Sequence, residues 1–223
     1  MNILPYIAAA TVGYLFGSIP FGYLLIRLFT GEDVRTSGSG NIGATNVARR
    51  SPGLGIATLC LDTIKGLLPV LVLHRVFAGE QQHLVLITAS FSAVLGHLFP
   101  VWLKLQGGKG VATTLGAFVL LTPKSIVCMV GVFLLITAVF RFVSMGSVVA
   151  AATFPLFAWA FHEFKGSPEL LIIATVSALV IWKHRQNIAR LFSGTEAKLG
   201  AKKAAETVSG SVNGATITGA RRQ

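Results

Sequence analysis

The chain has 223 residues, 53% of them hydrophobic and only 12% charged, with a mean hydropathy of +0.71, where a soluble domain carries roughly 25% charge. This composition excludes an ordinary water-soluble fold and makes the bilayer the expected solvent. The net charge of +11, from 19 Lys and Arg against 8 Asp and Glu, is assigned to topology, anionic lipid and an anionic substrate; nucleic-acid binders are seldom this apolar, so no nucleic acid is expected.

Runs of about 20 apolar residues mark spanning helices. Candidates fall at 4–28, 54–77, 83–103, 110–122, 125–141, 145–162 and 169–183. The expected fold is an all-α membrane protein of about seven transmembrane helices, with polar cytoplasmic motif loops and an interfacial helix after the last span. The run from Ile3 to Leu28 is too long for a signal-peptide core and no basic residue precedes it, so it is read as a retained span. Gly13, Gly17 and Gly22 in it suit close helix packing, and Pro20 should kink it. The fourth run is short and follows a Gly-rich loop, which suggests a partial or tilted pass. Cys60 and Cys128 lie inside apolar runs, so neither a disulfide framework nor a metal site is expected.

Basic residues set the orientation. Arg27, Arg35, Arg49 and Arg50 flank or fill the first loop, Lys104 and Lys109 the third, and Arg141 the fifth; Lys183, Arg185, Arg190 and Lys198 follow the last span. The opposite loops hold little more than Arg75, Lys124 and Lys165. An odd span count then puts the N-terminus outside and the C-terminus in the cytoplasm. Residues 1–196 form the membrane unit. The tail, 197–223, is Ala, Gly, Ser, Thr and Lys with almost no large apolar residue, and is expected to be disordered.

Three unusual loops fall on the cytoplasmic side. The first runs Ser37-Gly38-Ser39-Gly40-Asn41-Ile42-Gly43-Ala44-Thr45-Asn46 and is followed by Arg49. Small residues let backbone N–H groups approach an anion, and an Arg adds a bidentate phosphate clamp. Its G-x-G-x-x-G match lacks the strand–helix unit of a dinucleotide fold. The second runs from Gly96 and His97 through Pro100 and Lys104 to Gly107-Gly108-Lys109-Gly110. A Lys between glycines can reach phosphate as a point charge; Leu103 stands where a Walker loop needs its first glycine. His97 is either structural or site-facing. The third, Lys183 to Glu196, places His184 and Asn187 on one face of an amphipathic helix with Ile188, Leu191 and Phe192 as its apolar stripe.

Asp62 and Lys65 sit inside the second span at i, i+3, as a buried ion pair or as groups turned toward the site. Arg141, Ser144 and Ser147 make a polar patch between two later spans. Asp occurs only at Asp33 and Asp62, so paired-carboxylate metal chemistry has no motif here, and no Gly-x-Ser-x-Gly elbow is present.

Together the segments SGSGNIGATN, GHLFPVWLKLQGGKGVAT and KHRQNIARLFSGTE, in this order and spacing, resemble the bacterial acyl-phosphate:glycerol-3-phosphate acyltransferase family (PlsY) over about residues 1–197. The resemblance implies an enzyme of phospholipid synthesis in the bacterial cytoplasmic (inner) membrane. It would move a fatty acyl group from acyl phosphate to the 1-hydroxyl of sn-glycerol 3-phosphate, without cofactor, metal or acyl-enzyme. The products would be lysophosphatidate and phosphate. The soluble enzyme that makes acyl phosphate is an implied partner. The catalytic residues implied are His184, Asn187, Ser39 and Lys109. The substrate-binding residues are Arg49, Asn41, Asn46, Lys104, Gly107, Gly108, Gly110, Ser144 and Glu196. His97, Ser147, Asp62 and Lys65 are further candidates. The base is either His184 or a substrate phosphate oxygen. The rival class is a transporter of organic phosphates; it is disfavoured because the polar motifs cluster at one face rather than at the midplane and no inverted repeat is visible.

Overall fold

The computed structural model describes residues 3–79 and 82–200. These residues contain α-helices and two short 3-10 turns, with no strand among them. The first apolar run is two helices, α1 (Leu4–Gly17) and α2 (Phe21–Thr30), broken at Ser18-Ile19-Pro20. The break lies where Pro20 was expected to kink the run, since proline offers no N–H to the helix ladder. α3 (Ala44–Ala48) lies within the first polar loop, and α4 (Pro52–Val76) starts at a Ser51 cap with Pro52 in its first turn. α5 (Gln82–Leu98) follows, and α1 packs along it at close range: a Cβ on Gly13 or Gly17 would collide with the carbonyl oxygens of Ala89 and Ala93.

The fourth run, expected to be a partial or tilted pass, holds a short helix. Residues 110–122 hold only α6 (Val111–Phe118), whose eight residues measure about 12 Å and cannot cross a hydrocarbon core of about 30 Å. α7 (Pro123–Phe140), α8 (Val143–Ala160), α9 (Ser167–Lys183) and α10 (Arg185–Phe192) complete the order. Among the described residues five helical stretches are long and apolar enough to span: Leu4–Thr30, Pro52–Val76, Gln82–Leu103, Pro123–Phe140 and Val143–Ala160. The other two of the seven expected runs, 110–122 and 169–183, hold helices shorter than these. α9, with 17 residues, reaches about 25 Å.

Two glutamates fix one end of the bundle. Glu163 caps α7, accepting from the N–H groups of Lys124 and Ser125 at 2.9 Å each and from the Ser125 hydroxyl at 2.6 Å. Glu169 meets His83 Nδ1 at 2.8 Å and accepts from the Lys165 N–H at 2.6 Å. These bonds gather the starts of α5, α7 and α9 with the end of α8. At the opposite end Lys183 Nζ donates to the Leu98 carbonyl at 2.5 Å, joining the ends of α9 and α5. The chain thus passes between the end of α5 and the start of α7, from one end of the bundle to the other, through short α6 and residues 119–122.

The main core lies among α5–α9 around Phe118 and Phe154, whose rings meet edge to face at 5.3 Å. A smaller cluster packs α1 on α4 and α5. A third, Ile26, Val34, Ile42, Val47 and Leu103, lies beneath the first polar loop. That loop is therefore a folded unit with its own apolar floor. The tail residues 201–223, expected to be disordered, lie outside the described residues.

Candidate active site

Asn46 builds the first loop. It is 4% exposed, and its Nδ2 donates to the carbonyls of Val34, Ser37 and Asn41 at 2.9–3.1 Å, while Oδ1 accepts the Ser39 N–H at 2.9 Å. Asn41 Oδ1 accepts the Gly43 N–H at 2.9 Å. Gly38 and Gly40 take positive φ values of 60° and 67°, a region glycine enters without steric cost. A side chain on Gly38 would collide with Asn46 Oδ1, and Arg49 lies just beyond. Asn46 thus spends its amide on the loop. The Ser39 hydroxyl has no hydrogen-bond partner among the described residues.

Charge pairing separates the arginines of this loop. Arg35 is held by Asp33 at 2.6 Å, and Arg50 pairs with Glu32. Arg49 has no carboxylate partner among the described residues. Lys109 has none either, and its surroundings are confining. Burial draws its pKa down to about 8, partly offset by the Glu196 carboxylate and reinforced by Arg190 and Arg49. Lys109 of the second loop thus lies within electrostatic reach of Arg49 in the first and of Arg190 and Glu196 in the third. Leu103 packs with Ile42 and Val47 of the first loop, and Gly110 faces Leu98 of α5 and Val180 of α9. Lys104 is exposed, in a left-handed conformation with φ 51°.

The third loop centres on Glu196. Its Oε1 accepts from the Ser144 hydroxyl and Asn187 Nδ2, both at 2.6 Å, and its Oε2 from Arg190 Nε at 2.7 Å. Partial burial alone would raise its pKa; those three bonds outweigh it and hold the carboxyl below its ordinary value. His184, 2% exposed, caps the end of α9. Its Nδ1 lies 2.8 Å from the Val180 carbonyl. A carbonyl only accepts, so Nδ1 carries the proton and Nε2 keeps its lone pair. Burial first, then Lys109, pushes the imidazole down to about 4, against smaller opposing effects of the Val180 bond and Glu196. It is therefore neutral near pH 7.

Ser144 and Ser147 part company. Ser144 joins Glu196, whereas Ser147 bonds back to the Val143 carbonyl at 2.9 Å and lines a narrow apolar cavity with Val111, Met129, Ala151, Phe154 and Val180. His97 lies beneath the second loop: its carbonyl accepts the Gly108 N–H at 3.0 Å, and a Cβ on Gly107 or Gly108 would strike that carbonyl or the ring. Asp62 and Lys65 are paired at 2.7 Å and buried. Sequence reasoning used Arg190 only to set the orientation and left it out of the site; its i+3 spacing from Asn187 was the available signal. Arg141 of the expected polar patch exchanges two bonds with Leu199, at 2.6 and 3.0 Å. Among the described residues no three His, Cys, Asp or Glu side chains converge as metal ligands would.

Among the described residues the arrangement offers two cations without carboxylate partners, Arg49 and Lys109, together with glycine-lined backbone donors and a neutral imidazole acceptor. Residues 7–194 match the family model described as glycerol-3-phosphate acyltransferase. A glycerol-3-phosphate acyltransferase of Rhodopseudomonas palustris (strain HaA2) is 47% identical over 202 residues, covering 89% of this chain and 98% of that one. One of Myxococcus xanthus (strain DK1622) is 48% identical over 194 residues, covering 85% and 97%. Among solved structures, PlsY, an integral membrane glycerol 3-phosphate acyltransferase, superposes in its glycerol 3-phosphate form with a TM-score of 0.80 at 35% identity, covering 87% of this chain and 96% of that chain. Its lysophosphatidic acid form gives 0.76 at 34% identity, covering 87% and 95%.

Proposed function

The chain belongs to the glycerol-3-phosphate acyltransferase (PlsY) family of integral membrane enzymes, and we propose that it takes its acyl group from acyl phosphate. The acyl carbon is transferred to the 1-hydroxyl of sn-glycerol 3-phosphate, the carbon–oxygen bond to the donor phosphate breaks, and lysophosphatidate and phosphate leave. The observation that carries this reading is that, among the described residues, Arg49 and Lys109 lack carboxylate partners while their neighbours Arg35 and Arg50 have them. Two phosphorylated substrates need such cations, and protein-borne charge with glycine-loop N–H groups can supply what a metal would.

Acyl phosphate is an activated mixed anhydride, so positioning and charge stabilisation suffice and no covalent acyl-enzyme is needed. Ser39 and Arg49 hold the acceptor phosphate from one side and Lys109 from the other. Gly107, Gly108 and Gly110 let the second loop close on it, with Lys104 at the rim. Asn46 and Asn41 shape the first loop. His184 Nε2 accepts a hydrogen bond from the 1-hydroxyl and aligns it. The proton finishes on the departing phosphate, because an imidazole at about 4 is a weaker base than a phosphate whose second pKa is about 6. Glu196 locks Asn187, Ser144 and Arg190 around that acceptor. The acyl chain enters laterally from the bilayer, between spans.

The same reading gives seven passes, counting α6 with residues 119–122 and α9. The site end is then cytoplasmic, the N-terminus lies outside, α10 rests on the inner-membrane surface, and the soluble maker of acyl phosphate delivers from the cytosol. The test is acyl transfer by purified protein, in EDTA, to labelled glycerol 3-phosphate. Palmitoyl phosphate alone should yield lysophosphatidate; product from palmitoyl-CoA, or none from palmitoyl phosphate with folded protein, refutes the donor.

A further inference from the structure

The proposed chemistry leaves one cluster unused. Asp62 and Lys65 of α4 and His97 of α5 are 3%, 2% and 4% exposed. Lys65 Nζ lies 2.7 Å from Asp62 Oδ1 and donates to the Ile19 carbonyl at 2.7 Å. That carbonyl is exposed by the break between α1 and α2. His97 Nδ1 lies 3.7 Å from the same Asp62 oxygen, too far for a direct hydrogen bond and close enough to be oriented by its charge. Taking an ion pair out of water costs several kcal/mol per ion after relaxation, and apolar side chains would join α1, α4 and α5 without that cost. Charged groups inside spans are therefore read for function first.

What the cluster touches is the second loop. The Gly108 N–H donates to the His97 carbonyl, and neither Gly107 nor Gly108 has room for a Cβ above His97. The turn thus lies flat on the imidazole and its backbone. The next residue is Lys109. We propose that His97, oriented by the buried Asp62–Lys65 pair, is a positioning residue that seats the Gly107–Gly108 turn and so sets where Lys109 meets the substrate phosphate. The inference rests on the assignment of Lys109 to phosphate.

The role acts through Lys109, so a mutant cycle isolates it. His97→Leu, Asp62→Asn, Lys109→Met and the His97→Leu/Lys109→Met double variant are assayed for KM of glycerol 3-phosphate and for kcat, with binding of glycerol 3-phosphate by calorimetry where turnover is too slow, and with thermal melting in detergent as the check on folding. His97→Leu and Asp62→Asn should each raise KM about tenfold while kcat changes less than about threefold, and His97→Leu should add less than about twofold once Lys109 is Met. The same fold-loss in both backgrounds, a fall in kcat at constant KM, or failure of both single variants to fold would overturn the positioning role. A Lys109→Met enzyme with the parent KM would overturn the Lys109 assignment itself, and this inference with it.

Discussion

Replacing Lys109 with Met tests the proposed phosphate site by both size and pH. The side chain keeps its length and loses only its charge and donors. A hydrogen bond to a charged group contributes about 1.5–3 kcal/mol, so kcat/KM for glycerol 3-phosphate should fall by about 10- to 150-fold at pH 7. The pH profile is the sharper signature. With Lys109 at about 8 in the free protein, its charge is complete well below pH 8 and only about a tenth remains at pH 9. The parent kcat/KM should therefore hold at neutral pH and drop as pH rises through about 8, and the Met variant should lose that limb. His184, at about 4, is neutral throughout this window and adds no limb of its own. An acid limb near about 6 belongs to the second ionisation of the phosphates and should persist in the variant. The assay is initial-rate transfer from palmitoyl phosphate between pH 5.5 and 9.5, buffered at constant ionic strength. A Met variant that keeps the basic limb, or loses less than about threefold, refutes the role given to Lys109.

Arg49→Ala should raise KM for glycerol 3-phosphate by at least about tenfold, whereas Arg35→Ala, whose charge is already spent on Asp33, should change it less than about twofold; steady-state kinetics decide. Glu196→Gln keeps the shape and removes the acceptor charge shared by Ser144, Asn187 and Arg190, so kcat should fall by about 30-fold or more at little change in expression. Ser144→Ala should cost about tenfold and Ser147→Ala less than threefold, since only the first reaches Glu196. Gly108→Ala has no room over His97 and should abolish glycerol 3-phosphate binding measured by calorimetry.

The long spans were legible because bilayer thickness imposes an apolar run that composition cannot hide. So was the break at Pro20, which follows from the missing N–H. The three polar loops stood out because glycine and basic residues are conspicuous between such runs. Two things were not legible. The stretch 110–122 could be read as a short, partial or tilted pass, but the end of its helix after Phe118 could not; hydropathy records solvent preference and is blind to where the helix stops. Charge pairing was also hidden. Arg35, Arg49 and Arg50 look alike in sequence, and only the folded loop brings Asp33 and Glu32 to two of them. For the same reason Arg190 counted only as a basic residue setting the orientation, since it is the turn at Gly194, with φ 70°, that carries Glu196 against it.

The short α6 also explains how an ionic site can be built at one end of an apolar bundle. A full span there would have carried its polar ends to the two membrane surfaces. Instead the helix starts at Gly110, whose neighbours are Leu98, Val94 and Val180, and its first turn has N–H groups with no intrahelical acceptor. Those donors and the positive end of the helix dipole favour an anion where Lys109 stands. The same device recurs at the Ser18–Pro20 break, where the Ile19 carbonyl is satisfied by Lys65. One interrupted helix thus supplies anion donors and the other anchors the buried cation beneath them. Both interruptions cost backbone hydrogen bonds that lipid cannot replace, which is why each is surrounded by packed protein. Gly110 holds this junction at φ 88° with Leu98 and Val180 against it, so Gly110→Ala would strain the start of α6 and should both weaken glycerol 3-phosphate binding by calorimetry and lower the melting temperature.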